Sequence, residues 1–383
     1  MFASSLLLLL CLNGPVGGDA PAVQRFEARR TLMGSEFKVV LYTTDESLAR
    51  RAWSAAFDRV AQLNDVYTDY EPDSELMRFC AQAGGPPVQV SPDLYHALES
   101  SLAMARRSGG AFDPTINPVG RLWRRARRDG KLPDPEKIAE ARALVDWTQL
   151  VLEPKARTAQ LLKPGMKLDL GGIAKGIAAD EALKVLEAHG IDSALVAAAG
   201  DIVARGAPPG TDGWRIGVAS VDRPEDAPQR FLVLKDAAVS TSGDAERFVV
   251  IDGARYSHIV NPKTGLGVRD RASVTVVAPR GATADPLATA VYVLGPEQGG
   301  KLVASVKGCS SLFVRLLPDG REETFEAGDW RTLRLERSEN PKQDARKDAT
   351  PGCKAAPGDY NDASVGDGTE SRHQGEPAPC DSY

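Results

Sequence analysis

Apolar side chains recur along this chain at two spacings. Over residues 46–66 they return every third or fourth position, putting Leu48, Trp53, Phe57, Val60 and Leu63 on one side of a helix. The same spacing predicts a helix over 92–107, stopped by Gly109-Gly110, and another over 174–188, closed by His189-Gly190. A last helix is expected to begin near Asp285. Short β-rich runs predict strands at 37–42, 194–198, 214–218, 231–234, 248–251, 273–277 and 311–317. Helices and strands mix without regular alternation, which favours an α+β fold over a doubly wound sheet.

The two ends depart from this pattern. Within residues 1–24 an apolar run covers 6–12, too short for the roughly 20 residues of a membrane span. It fits the core of an export signal, so a periplasmic location is expected, with anchoring through a lipid on Cys11 left open. Residues 336–383 are rich in Pro, Gly, Asp and Ser and poor in large apolar side chains, the composition of a disordered low-complexity tail. The folded domain is then 25–335. Of 383 residues, 42% are hydrophobic and 26% charged, enough for a sizeable core. A net charge of -5 and an isoelectric point near 5.6 give no basic face for nucleic acid. One basic run, Arg121, Arg124, Arg125, Arg127, Arg128 and Lys131, reads as a solvated helix face or an acidic partner's docking patch. None of the five cysteines shows metal-site spacing, and Cys353 and Cys380 are either a disulfide or two thiols.

Four stretches could carry chemistry. In KLDLGGIAKG, Asp169 and Gly171-Gly172 lead into a helix with Lys175 in its first turn, which is either a phosphate cradle or an ordinary strand-turn-helix. In ADPLATA, Asp285 reads as a helix N-cap with Thr289 four residues on. That is a hard-oxygen pair suited to Mg²⁺, or a plain cap. His258 stands between a strand and the Asn261-Pro262 turn, as a general base or a hydrogen-bonded strand end. The AFDPT turn, 111–115, could bind a ligand by backbone and carboxylate or be structural.

In this order the stretches resemble the FAD:protein FMN transferase family, also called the ApbE family. The resemblance runs from Thr31-Leu32-Met33-Gly34-Ser35 through Tyr70 with Ser74-Glu75-Leu76 to AFDPT, LDLGGIAKG, SGDAERF, YSHIVNPKTG and ADPLATA. It implies an α+β fold of two interleaved α/β lobes, mostly antiparallel, with the nucleotide between them. It implies that Met33, Tyr70, Ala111, Phe112, Asp113, Asp169, Lys175 and Ile259 hold FAD. Asp285, Thr289 and a main-chain carbonyl near Gly172 would hold Mg²⁺, with His258 as catalytic base. The activity implied is Mg²⁺-dependent transfer of FMN from FAD to a Ser or Thr hydroxyl of an acceptor protein, releasing AMP. From the family alone, that acceptor is expected to be a subunit of a membrane redox complex. Hydrolysis of FAD to FMN and AMP, or FAD storage, remain alternatives at the same site. The chain departs from the family at Asn261 and Lys263, where Asp and Arg are usual, at Ala199, where Gly is usual, and at Pro286 for Ala. Asn261 is expected to leave His258 less basic, and Ala199 to narrow a close backbone approach.

Overall fold

The computed structural model describes residues 22–337 apart from 219, 220, 222–227, 229, 245, 246, 331 and 332. Cys11, Cys353, Cys380 and nearly all of the expected export segment and tail lie outside the described residues.

The chain opens with β1 (Gln24–Leu32) and β2 (Ser35–Thr43), joined by Met33 and Gly34 at φ 50° and 66°. Positive φ at both turn residues matches the twist of a tight hairpin. Next come α1 (Glu46–Tyr67), α2 (Glu75–Cys80), β3 (Val88–Gln89) and α3 (Pro92–Arg107). They are followed by α4 (Asn117–Asp129), α5 (Pro135–Arg142), β4 (Leu150–Glu153), β5 (Thr158–Leu161) and α6 (Ala174–Ala188). The strands β6 (Ala194–Ala198), β7 (Asp201–Arg205), β8 (Trp214–Val218), β9 (Arg230–Leu234) and β10 (Ala237–Gly243) come next. Small hairpins follow, β11 (Phe248–Ile251) with β12 (Ala254–Ser257), and β13 (Val260–Asn261) with β14 (Leu266–Gly267). The chain ends through β15 (Ala272–Ala278), α7 (Gly281–Ala304), β16 (Ser310–Leu316), β17 (Glu322–Gly328) and β18 (Leu335–Arg337).

Eight strands form the central sheet in the order β1-β2-β6-β7-β10-β15-β16-β17, and every pairing among the described residues is antiparallel. Both faces of this sheet are covered, and the period-two alternation of its strands shows how. Phe37, Val39 and Leu41 of β2 join one core with Val274 and Val276 of β15 and the inner faces of α1, α3, α6 and α7. Val40, Leu195, Val277, Leu312 and Val314 face the other way, against Trp214, Ile216 and Leu232 of the small β18-β9-β8 sheet. A third cluster joins Val119, Trp123 and Ala126 of α4 to Ile251 and Val260, fixing the hairpins beside α4.

The helices over 92–107 and 174–188 start and stop where the apolar spacing predicts. The last helix does not. It begins at Gly281, so Asp285 stands inside it rather than capping it. Its first N–H groups are capped from elsewhere: Asp180 of α6 accepts from Gly281 N at 2.8 Å and Ala282 N at 2.9 Å. Asp285 returns the contact, accepting from Gly176 N of α6 at 3.1 Å. The two helices can approach this closely only because both crossing residues are glycine. A Cβ on Gly176 would overlap the Gly281 carbonyl and stand 2.9 Å from Asp285 Cβ.

The basic run divides. Arg121, Arg125 and Arg128 are solvated as predicted, but Arg124 is half-buried and ion-paired, because it flanks the stripe of Val119, Trp123 and Ala126 that α4 buries. Ala199 stands at φ 55°, a left-handed conformation that glycine adopts freely.

Two stability predictions follow from this geometry. Ala199→Gly is expected to gain about 1 kcal/mol by relieving the left-handed alanine. Gly176→Ala is expected to lose about 1–3 kcal/mol by prising α6 from α7. Urea unfolding of the two variants beside the parent measures both, and opposite signs for either would contradict the reading.

Candidate functional site

The α6–α7 crossing places the start of α6 against the interior of the molecule. No side chain of its own caps this helix. Before it, Asp169 accepts from Gly171 N at 2.8 Å, bending the chain so that Gly172 comes near α7. A Cβ at Gly172 would stand 3.2 Å from Thr289 Oγ1 and 3.2 Å from the Phe112 ring, so only glycine lets the chain pass this close to both. Thr289 lies one helical turn beyond Asp285, and Ser242 of β10 reaches its hydroxyl at 3.4 Å.

Carboxylates gather here. Asp285 and Asp201 are 5% and 6% exposed. Burial first, and then Asp201, push the Asp285 carboxyl well above its ordinary range, while Lys175 opposes the shift. Asp201 is also pushed up by burial, against Lys175 and the Ser240 hydroxyl that donates to it at 2.6 Å. Lys175 opposes both shifts, and burial disfavours the charged form of both carboxylates unless a further cation joins them. The Asp285 carboxylate and the Thr289 hydroxyl one helical turn on are hard oxygen donors that suit a divalent cation such as Mg²⁺. The residues present therefore fit the metal that the resemblance implies.

His258 closes the hairpin of β11 and β12. Its Nδ1 lies 3.0 Å from the Arg247 carbonyl, which can only accept, so Nδ1 carries the proton and Nε2 keeps its lone pair. Crowding of the ring pushes the imidazole down to about 4, helped by the charges of Arg247, Arg127 and Lys175 and opposed by the bond to the Arg247 carbonyl. The residue keeps solvent contact, so the direction is what matters: the ring is neutral at pH 7. Arg255 anchors the hairpin by an ion pair with buried Asp244, and Trp123 Nε1 donates to the Gly265 carbonyl at 2.8 Å. Asn261 does not reach the histidine. Its Oδ1 accepts from Lys263 N at 2.9 Å and shapes the turn.

Other expected residues divide by role. Asp169 and Lys175 sit together, Lys175 acting electrostatically on Asp169, Asp201, Asp285 and His258. Tyr70 is 70% exposed, a ring open to a ligand, with the Arg124 guanidinium 5.1 Å from its centre. Ala111, Phe112 and Asp113 are buried, and the Asp113 carboxylate is taken by Thr115 N and Oγ1 (2.8 and 2.6 Å) and Trp147 N (3.2 Å). That turn offers backbone and ring rather than a carboxylate, and its Pro114 carbonyl accepts from Asp169 N at 2.8 Å. Met33 and Ile259 pack at the margin of the main core.

The sequence reading missed Arg124, which bonds Asp69 at 2.6 Å and stands 3.8 Å from Asp169. It also missed Asp180. A signal for Asp180 was available: Gly176-Ile177-Ala178-Ala179-Asp180 and Gly281-Ala282-Thr283-Ala284-Asp285 share one Gly-x-x-x-Asp spacing.

Known proteins share this arrangement of elements. The ApbE family matches residues 33–313. A Treponema pallidum protein named FAD:protein FMN transferase is 36% identical over 331 residues, covering 82% of this chain and 91% of its own. One of that name from Vibrio cholerae is 30% identical over 325 residues, with coverages of 84% and 94%. Among solved structures, the flavin transferase ApbE from Vibrio cholerae superposes with a TM-score of 0.73 at 27% identity, over 82% of this chain and all of that one. The apo flavinyl transferase ApbE of Pseudomonas stutzeri gives 0.72 at 28% identity, over 81% of this chain and 97% of its own. On these matches and the residues they span, the chain belongs to the ApbE family.

Proposed function

We propose that the chain is a transferase that moves the FMN half of FAD to a Ser or Thr hydroxyl of an acceptor protein, releasing AMP and requiring Mg²⁺. One observation carries this: a neutral imidazole and two buried carboxylates, one of them a helical turn from a threonine hydroxyl, all lie within electrostatic reach of one lysine at a helix start. The names of the family's relatives agree with it.

In this reading Lys175 at the start of α6 holds the diphosphate of FAD, with the positive end of the helix adding to its charge. Tyr70, backed by Arg124, offers a face for one of its rings. His258 Nε2 takes the proton from the acceptor hydroxyl as its oxygen bonds to the FMN phosphorus. The bond from that phosphorus to the bridging oxygen breaks, and AMP leaves with the electron pair. Asp285, Thr289 and the carbonyl near Gly172 would hold Mg²⁺, which when bound supplies positive charge against the diphosphate. Residues 25–335 form the transferase domain in this reading, with 1–24 directing export to the periplasm and 336–383 as a tail. The acceptor we propose is a flavin-carrying subunit of a membrane redox complex.

Incubation with FAD, Mg²⁺ and a peptide containing a Ser/Thr-Gly-Ala-Thr element tests the reaction. The peptide should gain the mass of FMN with one AMP per transfer. AMP without labelled peptide would mean hydrolysis, and bound FAD without AMP would mean storage. His258→Ala is expected to cost about 10²–10⁴ in rate while FAD still binds. Because the folded imidazole is lowered, it stays neutral as pH falls below the usual 6.5, so the acid limb of kcat/KM should lie below that value. A limb above it would exclude the lowered histidine as base. Asp285 is raised, so its ionised form weakens the fold as pH rises, and that loss should vanish in Asp285→Asn. This variant should lack transfer yet melt no lower than the parent in chelator at pH 7, and gain nothing from Mg²⁺, whereas the parent's Tm rises with Mg²⁺.

A further inference from the structure

Among the described residues, β11 pairs with β12 alone, so its other edge is open. The bond from the His258 N–H to the Arg247 carbonyl, 3.1 Å, makes 247 and 258 a hydrogen-bonded pair. In an antiparallel ladder such pairs alternate, so Val249 and Ile251 turn their backbone groups toward β12. Phe248 and Val250 therefore turn theirs outward. Side chains alternate as well. Val249, Ile251 and Tyr256 pack in the cluster of Trp123, which leaves Phe248 and Val250 on the opposite face, 38% and 56% exposed. The Arg255 guanidinium stacks on the Phe248 ring, 3.2 Å from its centre, and Val250 beside it is the more open of the two. An edge with outward N–H and C=O groups and partly exposed apolar side chains is one to which an extended polypeptide adds a strand.

We propose that the acceptor protein docks by β-strand addition to β11, its modified segment lying extended along the Phe248–Val250 edge. This rests on the transferase reading, since an enzyme that modifies a protein must hold a length of polypeptide beside its base. The geometry selects where the hydroxyl goes. A residue of the added strand opposite Arg247 presents its side chain on the face that Arg247 and His258 share. The bond from Nδ1 to the Arg247 carbonyl draws the imidazole over that same position. A Ser or Thr there meets the base, and apolar neighbours cover Phe248 and Val250. The guanidiniums of Arg247 and Arg127 influence each other and have no carboxylate partner among the described residues. They favour an acidic residue in the docked segment.

The test uses the full chain and a ten-residue peptide with the Ser/Thr-Gly-Ala-Thr element and one flanking acidic residue. The discriminating variant is Val250→Pro. The Val250 N–H points away from β12, so proline removes an edge donor while the hairpin ladder keeps its bonds. The KM for peptide should rise about tenfold or more, the worth of one good hydrogen bond, while FAD affinity and Tm stay at parental values. An unchanged peptide KM in a variant that still binds FAD would overturn strand addition. A second arm needs no chemistry: the same peptide with its hydroxyl residue replaced by Ala should slow amide hydrogen exchange at Phe248 and Val250 in the parent. Protection elsewhere, or at β11 without peptide and growing with protein concentration, as in pairing with a second copy, would equally refute it. If the parent protects β11 but never transfers FMN, the docking stands and the transferase reading falls.

Discussion

Two helices that cap each other at a glycine crossing hold this site together. Asp180 of α6 satisfies the first N–H groups of α7, and Asp285 of α7 satisfies the N–H of Gly176 near the start of α6. A helix start leaves four donors unpaired, and burying them without partners is expensive. Here each helix depends on a carboxylate from the other, so neither start can shift without exposing a donor on both. The consequence for chemistry is positional. Lys175, one residue into α6, is fixed relative to Asp285 and Thr289 on α7 by the same contacts that hold the core.

The exchange is not symmetric. Asp180 receives two N–H bonds, whereas Asp285 has one from Gly176 and faces Asp201 across the cleft. Burial pushes both Asp180 and Asp285 up, yet only Asp285 has another buried carboxylate raising it further. One acid is a structural cap and the other a cap with charge left over. Surplus negative charge in a low-dielectric place is sustained only if something positive visits. Lys175 meets part of that need, and in the proposed reaction a divalent ion held beside Asp285 would meet the rest.

Much of this was legible in the sequence, for reasons that differ by element. The helices of the main core were readable because their buried faces recur at helical spacing and their ends carry Ser91, Pro92, Gly109 and Gly190. That Asp285 and Thr289 share one helix face was readable because they stand four residues apart, and Lys175 in the first turn of α6 because it follows Gly171-Gly172. The start of α7 was not. Its cap comes from Asp180, more than 100 residues earlier, and the local Asp285-Pro286 pair imitates an N-cap. Arg124 was hidden for a related reason. A run of arginines has the composition of a solvated face, and only the packing of Trp123 beneath the β13–β14 turn shows which one turns inward.

The same distinction bears on how this chain departs from its family. Asn261 in place of Asp would seem to weaken the base by removing a negative charge beside it. The contacts give the tautomer to a different partner. The Arg247 carbonyl receives both the backbone N–H and Nδ1–H of His258, so the main chain places the proton. Asn261 performs the task that an aspartate could also perform there, accepting from Lys263 N to close the turn. What sets the basicity of Nε2 is then crowding and the nearby cations, which favour the neutral ring. In the proposed reaction a neutral imidazole beside cations fits an incoming dinucleotide that brings the negative charge, because that charge would offset Arg127, Arg247 and Lys175 as the imidazole took up its proton.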